Sequence, residues 1–413
     1  MQHSIGFVGL FAILALIGSA AGRDQRNVTE PKTPASCTSL TATGGDDTEV
    51  IQKALDSCTK GKAVALSSGT FYSGPLVIPS GVSLLVDEGV TLKALTDPKM
   101  YDLGANTCGT LDDAGVGCKA FITMIGAVSS GIYGKGVIDG QGNVTMVGKD
   151  QSWWELAHEA LLEDNYHNTP WLIQINASYD ITLYQITLLN SPHFTIFCSE
   201  SFGFTVWGTT ILAPPSARNT DAIDPNGSQN VTIAYNYVSV GDDNVAIKSF
   251  NAPSRYISVY NNHFVHGNGM SIGSEVGHGA SSVTVWNITL NGTKNGIHVK
   301  SNKFRGGHVS RVSFTNICVI NAETPFRIDM NYMNLTGPNN PEFHDISFTN
   351  IRAPQRARHI FHGLSPSNPV YVRFNDVHVA KGSVYEISDA VMHGSIIEDA
   401  SGDHCGYTGN YDD

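Results

Sequence analysis

The chain has 413 residues, 41% of them hydrophobic and 15% charged, with a formal net charge of -12 and a pI near 5.6. This balance argues against nucleic acid and anionic membranes as partners, because both reward a basic stripe. The length supports a sizeable core, and a solenoid of this size can be one domain.

At the N-terminus, IGFVGLFAILALIGSAAG holds an apolar run closed by Ser19, Ala20 and Ala21. It is too short to span a bilayer, and residues 1–21 read as a secretory signal, followed at once by the polar RDQRNVTEPKTP. Residues 22–413 are expected to form a single exported, monomeric domain. Next, EVIQKALDSCTK places Val50, Ile51, Ala54 and Leu55 on one helical face and reads as a short cap over the open end of a sheet structure. Seven cysteines without a CxxC pair exclude zinc ribbons and thioredoxin-like chemistry; Cys37 with Cys58 and Cys108 with Cys118 are the expected bridges. The odd count leaves at least one of Cys198, Cys318 and Cys405 free or paired between chains. N-x-S/T sequons begin at Asn27, Asn143, Asn176, Asn226, Asn230, Asn287, Asn291 and Asn334. Trp153, Trp154 and Trp171 are read as packing residues rather than a sugar-stacking wall.

From the middle of the chain onward the sequence repeats itself. NVTIAYNYVSV, RYISVYNNHFV, SVTVWNITLNG and RVSFTNICVIN read as alternating strands at intervals of roughly 25 to 29 residues. A second strand family runs in step: DAIDP, NVAIKS, MSIGS, IHVKS and FRIDM, centred on Ile223, Ile247, Ile272, Val299 and Ile328. Short β-rich units at this period indicate an all-β fold, a parallel β-helix whose coils bury apolar residues against their neighbours. A β-sandwich would need strands every 8 to 12 residues or so.

Alternation turns the flanks of the second family outward, and coils about 4.8 Å apart make sequence-distant residues neighbours. NTDAIDP and GDDN fall on consecutive coils, so Asp221, Asp242 and Asp243 should meet at one spot. Asn268, Asp224, Lys248, His298, Lys300 and Arg327 lie nearby on the same face. Crowded carboxylates cannot all ionise freely, which supplies a proton donor beside proton acceptors, the pairing that glycosidic bond hydrolysis needs.

These segments carry a resemblance. NTDAIDP, GDDNVAIKS, the G-X-G before MSIGS, and GIHVKS look like the four signature segments of the polygalacturonases, glycoside hydrolase family 28. GQG at 140, SWW at 152, NSPHF at 190 and RGG at 305 resemble bacterial-type members, several of which act from chain ends. The resemblance implies a right-handed β-helix, a secreted enzyme, a pectic polysaccharide substrate, exo action, and neither cofactor nor metal. It makes Asp242 the general acid and Asp221 and Asp243 the groups activating water, with inversion at the anomeric carbon. It makes Lys300 the grip on a uronate carboxylate and Tyr332 a sugar contact.

Two positions depart from the family pattern. Where the family has G-H-G, this chain has Gly267, Asn268, Gly269, and the literal GHG at 277 follows the strand, so His278 reads as a turn residue. Where the family has an arginine two residues before its lysine, this chain has His298, a single pH-dependent cation in place of a fixed fork. Arg327, one coil further, is the candidate to restore that charge, and Lys248 is either a subsite cation or a partner fixing Asp224. The departures keep three rivals open: a hydrolase of decorated or rhamnose-containing pectin, a calcium-dependent β-helical pectate lyase, and a binding protein that has lost turnover.

Overall fold

A computed structural model describes residues 22–399; residues 1–21, read above as a signal, and Cys405 lie outside the described residues. The chain winds into a right-handed parallel β-helix, with successive coils adding one strand to a parallel sheet of 11 and one or two to a parallel sheet of 21. The inward residues are aliphatic or aromatic and stack in columns. One column runs Ile181, Phe204, Val231, Ile257, Val283, Val312, Ile346, Val372, each in direct register with the next. All eight are at most 1% exposed. Buried on both sides by neighbouring coils, such residues form a core without any helix packed over it.

At the corners, Asn261, Asn287, Asn316 and Asn350 adopt left-handed backbone conformations that asparagine tolerates. Their amides bond from coil to coil at 3.1, 3.2 and 2.8 Å, a ladder that satisfies side chains the turns would otherwise leave unpaired.

Helix α1 (Thr48–Ser57) covers the N-terminal end through Ile51 and Leu55, both fully buried, whereas Val50 faces solvent. The SWW stretch opens α2 (Trp153–Leu162), a helix not anticipated from the sequence, begun by a capping box between Ser152 and Glu155. Trp153 packs edge-on against Tyr101 at 6.2 Å and Trp154 donates its indole N–H to the Ser191 carbonyl. Both expected disulfides are present, Cys318 is also bridged, and Cys198 is a buried free thiol. Two sequon asparagines, Asn226 and Asn230, are only 2% and 4% exposed and are poor glycan acceptors as placed. Among the described residues, no helix is long and apolar enough to cross a membrane.

Six strands of the smaller sheet carry the functional face: β1 (Ile196–Ser199), β2 (Ile223–Asn226), β3 (Val245–Ile247), β4 (Met270–Ile272), β5 (Asn295–Lys300) and β6 (Thr324–Asp329). Ile247, Ile272, Val299 and Ile328 stack as the repeat predicts. Ile223 does not join them: it pairs with Val245. The register is therefore displaced by two residues between β2 and β3, and because side chains alternate with a period of two, the displacement leaves every one on its expected face.

Candidate active site

Asp221 immediately precedes β2, Asp242 and Asp243 precede β3, and Asn268 precedes β4. These approach segments are bonded to one another like strands. The Ala222 N–H donates to the Asp243 carbonyl at 2.9 Å, and the Asn244 N–H to the Gly269 carbonyl at 3.1 Å. Three carboxylates from two coils are thus held at one height, with an oxygen of each within 4.8 Å of the others.

The rest of the cluster supplies countercharge. Lys248, following β3, places Nζ 3.0 Å from Asp221 Oδ2 and 3.3 Å from Asp224 Oδ2, and over the Phe194 ring at 4.2 Å. Lys300, ending β5, lies 2.8 Å from Asp243 Oδ2, and Ser271 on β4 donates to Asp243 Oδ1 at 2.7 Å. Three carboxylates share two ammonium groups. Burial pushes the carboxyls of Asp221, Asp243 and Asp224 up, Asp224 furthest, while the lysines pull them back. Asp242 is half-buried and touches neither lysine; burial, then the Asp221 charge, raise its carboxyl to about 6. It is the member of the trio that no ammonium group holds in the ionised form, and a carboxyl raised in this way can carry a proton at mildly acid pH.

The bracket around Asn268 explains why the backbone there is Gly267 and Gly269. Both have positive φ, and a Cβ would stand 2.4 Å from the Asp242 carbonyl oxygen at Gly267 and 2.1 Å from the Asn295 carbonyl oxygen at Gly269. The close approach carries Asn268 onto Asp242, its backbone N–H bonding the Asp242 carbonyl and its Nδ2 bonding Oδ1, each at 2.9 Å. As placed, Asn268 contacts the acid group rather than open cleft. His266 and His278 are both exposed.

His298 stands between Ser271 and Arg327 in the outward column. It is only 2% exposed, and among the described residues neither ring nitrogen has a hydrogen-bond partner. Burial, reinforced by Lys300, Arg327 and Lys294, holds its pKa well below the ordinary value. The expected pH-dependent cation is therefore a buried ring held toward its neutral form. Arg327 donates to Asp329 Oδ2 at 3.3 Å and lies 5.6 Å from the Tyr332 ring, and among the described residues its Nε has no partner. Tyr332 also meets Lys300, at 5.3 Å, and the edge of His298. All eight predicted site residues share one face. Sequence reasoning missed Ser271 as a partner of Asp243 and left Lys248 undecided; their signal was a polar side chain on a strand already aligned with the cluster.

The carboxylate trio has the donor set for a cation. Two of its three members, however, already receive a buried ammonium group, which supplies the positive charge a divalent ion would bring.

Similarity to known proteins fits this geometry. The family described as Glycosyl hydrolases family 28 matches residues 58–395. An endo-polygalacturonase of Pectobacterium parmentieri is 46% identical over 394 residues, covering 94% of this chain and 96% of the relative; one of Pectobacterium carotovorum subsp. carotovorum is 45% identical over 95% and 97%. A solved polygalacturonase from Erwinia carotovora ssp. carotovora superposes with a TM-score of 0.87 at 45% identity, covering 90% of this chain and all of that one. A Thermotoga maritima exopolygalacturonase, at 21% identity and a TM-score of 0.76, shares the fold. A stacked spiral that brings NTD and GDD together, and relatives matched over nearly their whole length, place this chain in glycoside hydrolase family 28, among its polygalacturonases.

Proposed function

We propose that the protein is an exported endo-acting hydrolase of the α-1,4 linkages of polygalacturonate, with Asp242 as general acid and Asp221 and Asp243 orienting the attacking water. The observation that carries this reading is the convergence of three carboxylate oxygens within 4.8 Å, of which Asp242 alone is without a lysine contact. Inverting enzymes usually hold their carboxyl groups about 6.5 to 9.5 Å apart, wider than this cluster. A single water donating two bonds of about 2.7 Å at its own angle of about 105° bridges oxygens roughly 4.3 Å apart, the scale of this cluster. Lys300, Arg327 and Tyr332 line the adjoining surface and supply the positive charge that suits a uronate polymer. The names of the two near-full-length relatives support interior cleavage over the chain-end action that the SWW and NSPHF segments suggested. The burial of His298, at the place where the family carries an arginine, favours a second reading, a decorated or rhamnose-containing pectin as the better substrate.

Incubation with polygalacturonate and with branched pectins tests the proposal, with viscosity, reducing ends and ultraviolet absorbance followed together. Endo hydrolysis predicts viscosity falling well ahead of reducing ends, without absorbing unsaturated products and without sensitivity to chelator. Monomer release at nearly constant viscosity would establish exo action, unsaturated ends a lyase, faster cleavage of branched pectin the second reading, and binding without new ends a protein that has lost turnover.

A further inference from the structure

Within the trio, Asp242 is held in a different way from its neighbours. Asp221 and Asp243 contact ammonium groups, whereas Asp242 Oδ1 accepts two neutral N–H donors, the Asp243 backbone and Asn268 Nδ2, both at 2.9 Å. Among the described residues, Oδ2 accepts none. A protonated carboxyl has one hydroxyl oxygen and one acceptor oxygen, and two N–H groups aimed at Oδ1 leave no place for a proton there. Asn268 is itself fixed by its backbone bond to the Asp242 carbonyl and by flanking glycines that no other residue could replace without a clash.

We propose that Asn268 is a positioning residue for the hydrolysis, holding Oδ1 of Asp242 as an acceptor so that the transferable proton resides on Oδ2. This rests on the assignment of Asp242 as general acid. In the step, the proton passes from Oδ2 to the glycosidic oxygen as the bond from that oxygen to the anomeric carbon breaks and its electron pair stays with the leaving hydroxyl. The water oxygen bonds to the anomeric carbon and its proton passes to Asp221 or Asp243. That proton returns to solvent, and Asp242 takes one back. Asparagine does not titrate, so its donor persists across the working pH range, whereas a histidine here would add its own charge change.

The test compares Asn268→Leu, nearly the same size without a donor, with Asn268→His, whose ring N–H can donate. A hydrogen bond to a charged or charge-exchanging group is worth about tenfold or more in rate. Asn268→Leu is expected to lower kcat on polygalacturonate by about that factor with KM within about twofold, the signature of an interaction made at the reacting bond. Because a donor onto a carboxylate favours its ionised form, the alkaline limb of kcat should also move to higher pH. Asn268→His should retain most of kcat. Wild-type kcat with an unmoved limb in Asn268→Leu, or Asn268→His as slow as Asn268→Leu, would overturn the proposal. Carbon-13 titration of the Asp242 carboxyl gives a readout independent of turnover: a higher pKa in Asn268→Leu is expected, and an unchanged one overturns the proposal. An inactive wild type would count against the proposed function, with the carboxyl titration still deciding the role of Asn268.

Discussion

Replacing Lys300 with methionine removes one cation from the cluster at nearly constant volume. Its Nζ sits 2.8 Å from Asp243 Oδ2, with the two side chains 6% and 4% exposed. At an effective dielectric of about 20, a pair at that distance interacts by about 6 kcal/mol, and removing one partner of a buried pair typically costs about 3–5 kcal/mol. Proton uptake sets a ceiling. A stranded Asp243 can neutralise itself, at about 1.4 kcal/mol for each pH unit above an unfolded carboxyl pKa near 3.9. That ceiling is about 4 kcal/mol at pH 7 and about 1.5 kcal/mol at pH 5. In the variant, the folded pKa lies above the unfolded one, so stability is fully present below the unfolded value and is lost as pH rises toward the folded value. Urea denaturation of both proteins at pH 5 and pH 7 should show a gap in stability that widens with pH, by at most about 2.7 kcal/mol over those two units. A gap of equal size at the two pH values would refute the reasoning, because it would mean that no buried charge is stranded.

Three other outcomes are expected. With Asp242 as the proposed general acid and its carboxyl pushed up to about 6, kcat should decline as pH rises through that value; a flat profile from pH 5 to pH 8 would contradict the assignment. Asn316→Ala breaks ladder bonds of 3.2 and 2.8 Å at a left-handed position and should cost about 2 kcal/mol, read as a lower Tm, whereas Asn316→Gly, free of the backbone penalty, should cost less. Arg327→Ala should raise KM for polygalacturonate about tenfold by removing a charge-assisted contact; an unchanged KM would take Arg327 out of substrate recognition.

The fold was legible because a β-helix writes its period into the sequence: each coil must present an aliphatic residue to the same column, as Ile247, Ile272, Val299 and Ile328 do. The exact register between β2 and β3 was not, since Ile223 against Val245 and Ile223 against Ile247 bury equally apolar pairs on the same face. Convergence of Asp221, Asp242 and Asp243 followed from their place just before consecutive strands. What followed less well were properties set by neighbours far along the chain. The charge of His298 depends on burial and on Lys300, Arg327 and Lys294, and no local pattern reveals that surrounding. Whether Lys248 faces substrate or Asp224 depends on where a long flexible side chain ends, and here it ends between Asp221 and Asp224. The helix at Trp153 was missed although Ser152 and Glu155 spell a capping box, because its two tryptophans were weighed as aromatics rather than as a first turn.

Whether Asp242 delivers a proton to the departing sugar oxygen is decided by the turnover of Asp242→Asn. With the fold confirmed by circular dichroism, the account predicts kcat on polygalacturonate lower by about 100-fold or more and KM little changed. Activity within about tenfold of wild type would contradict it, since an amide has no such proton to give.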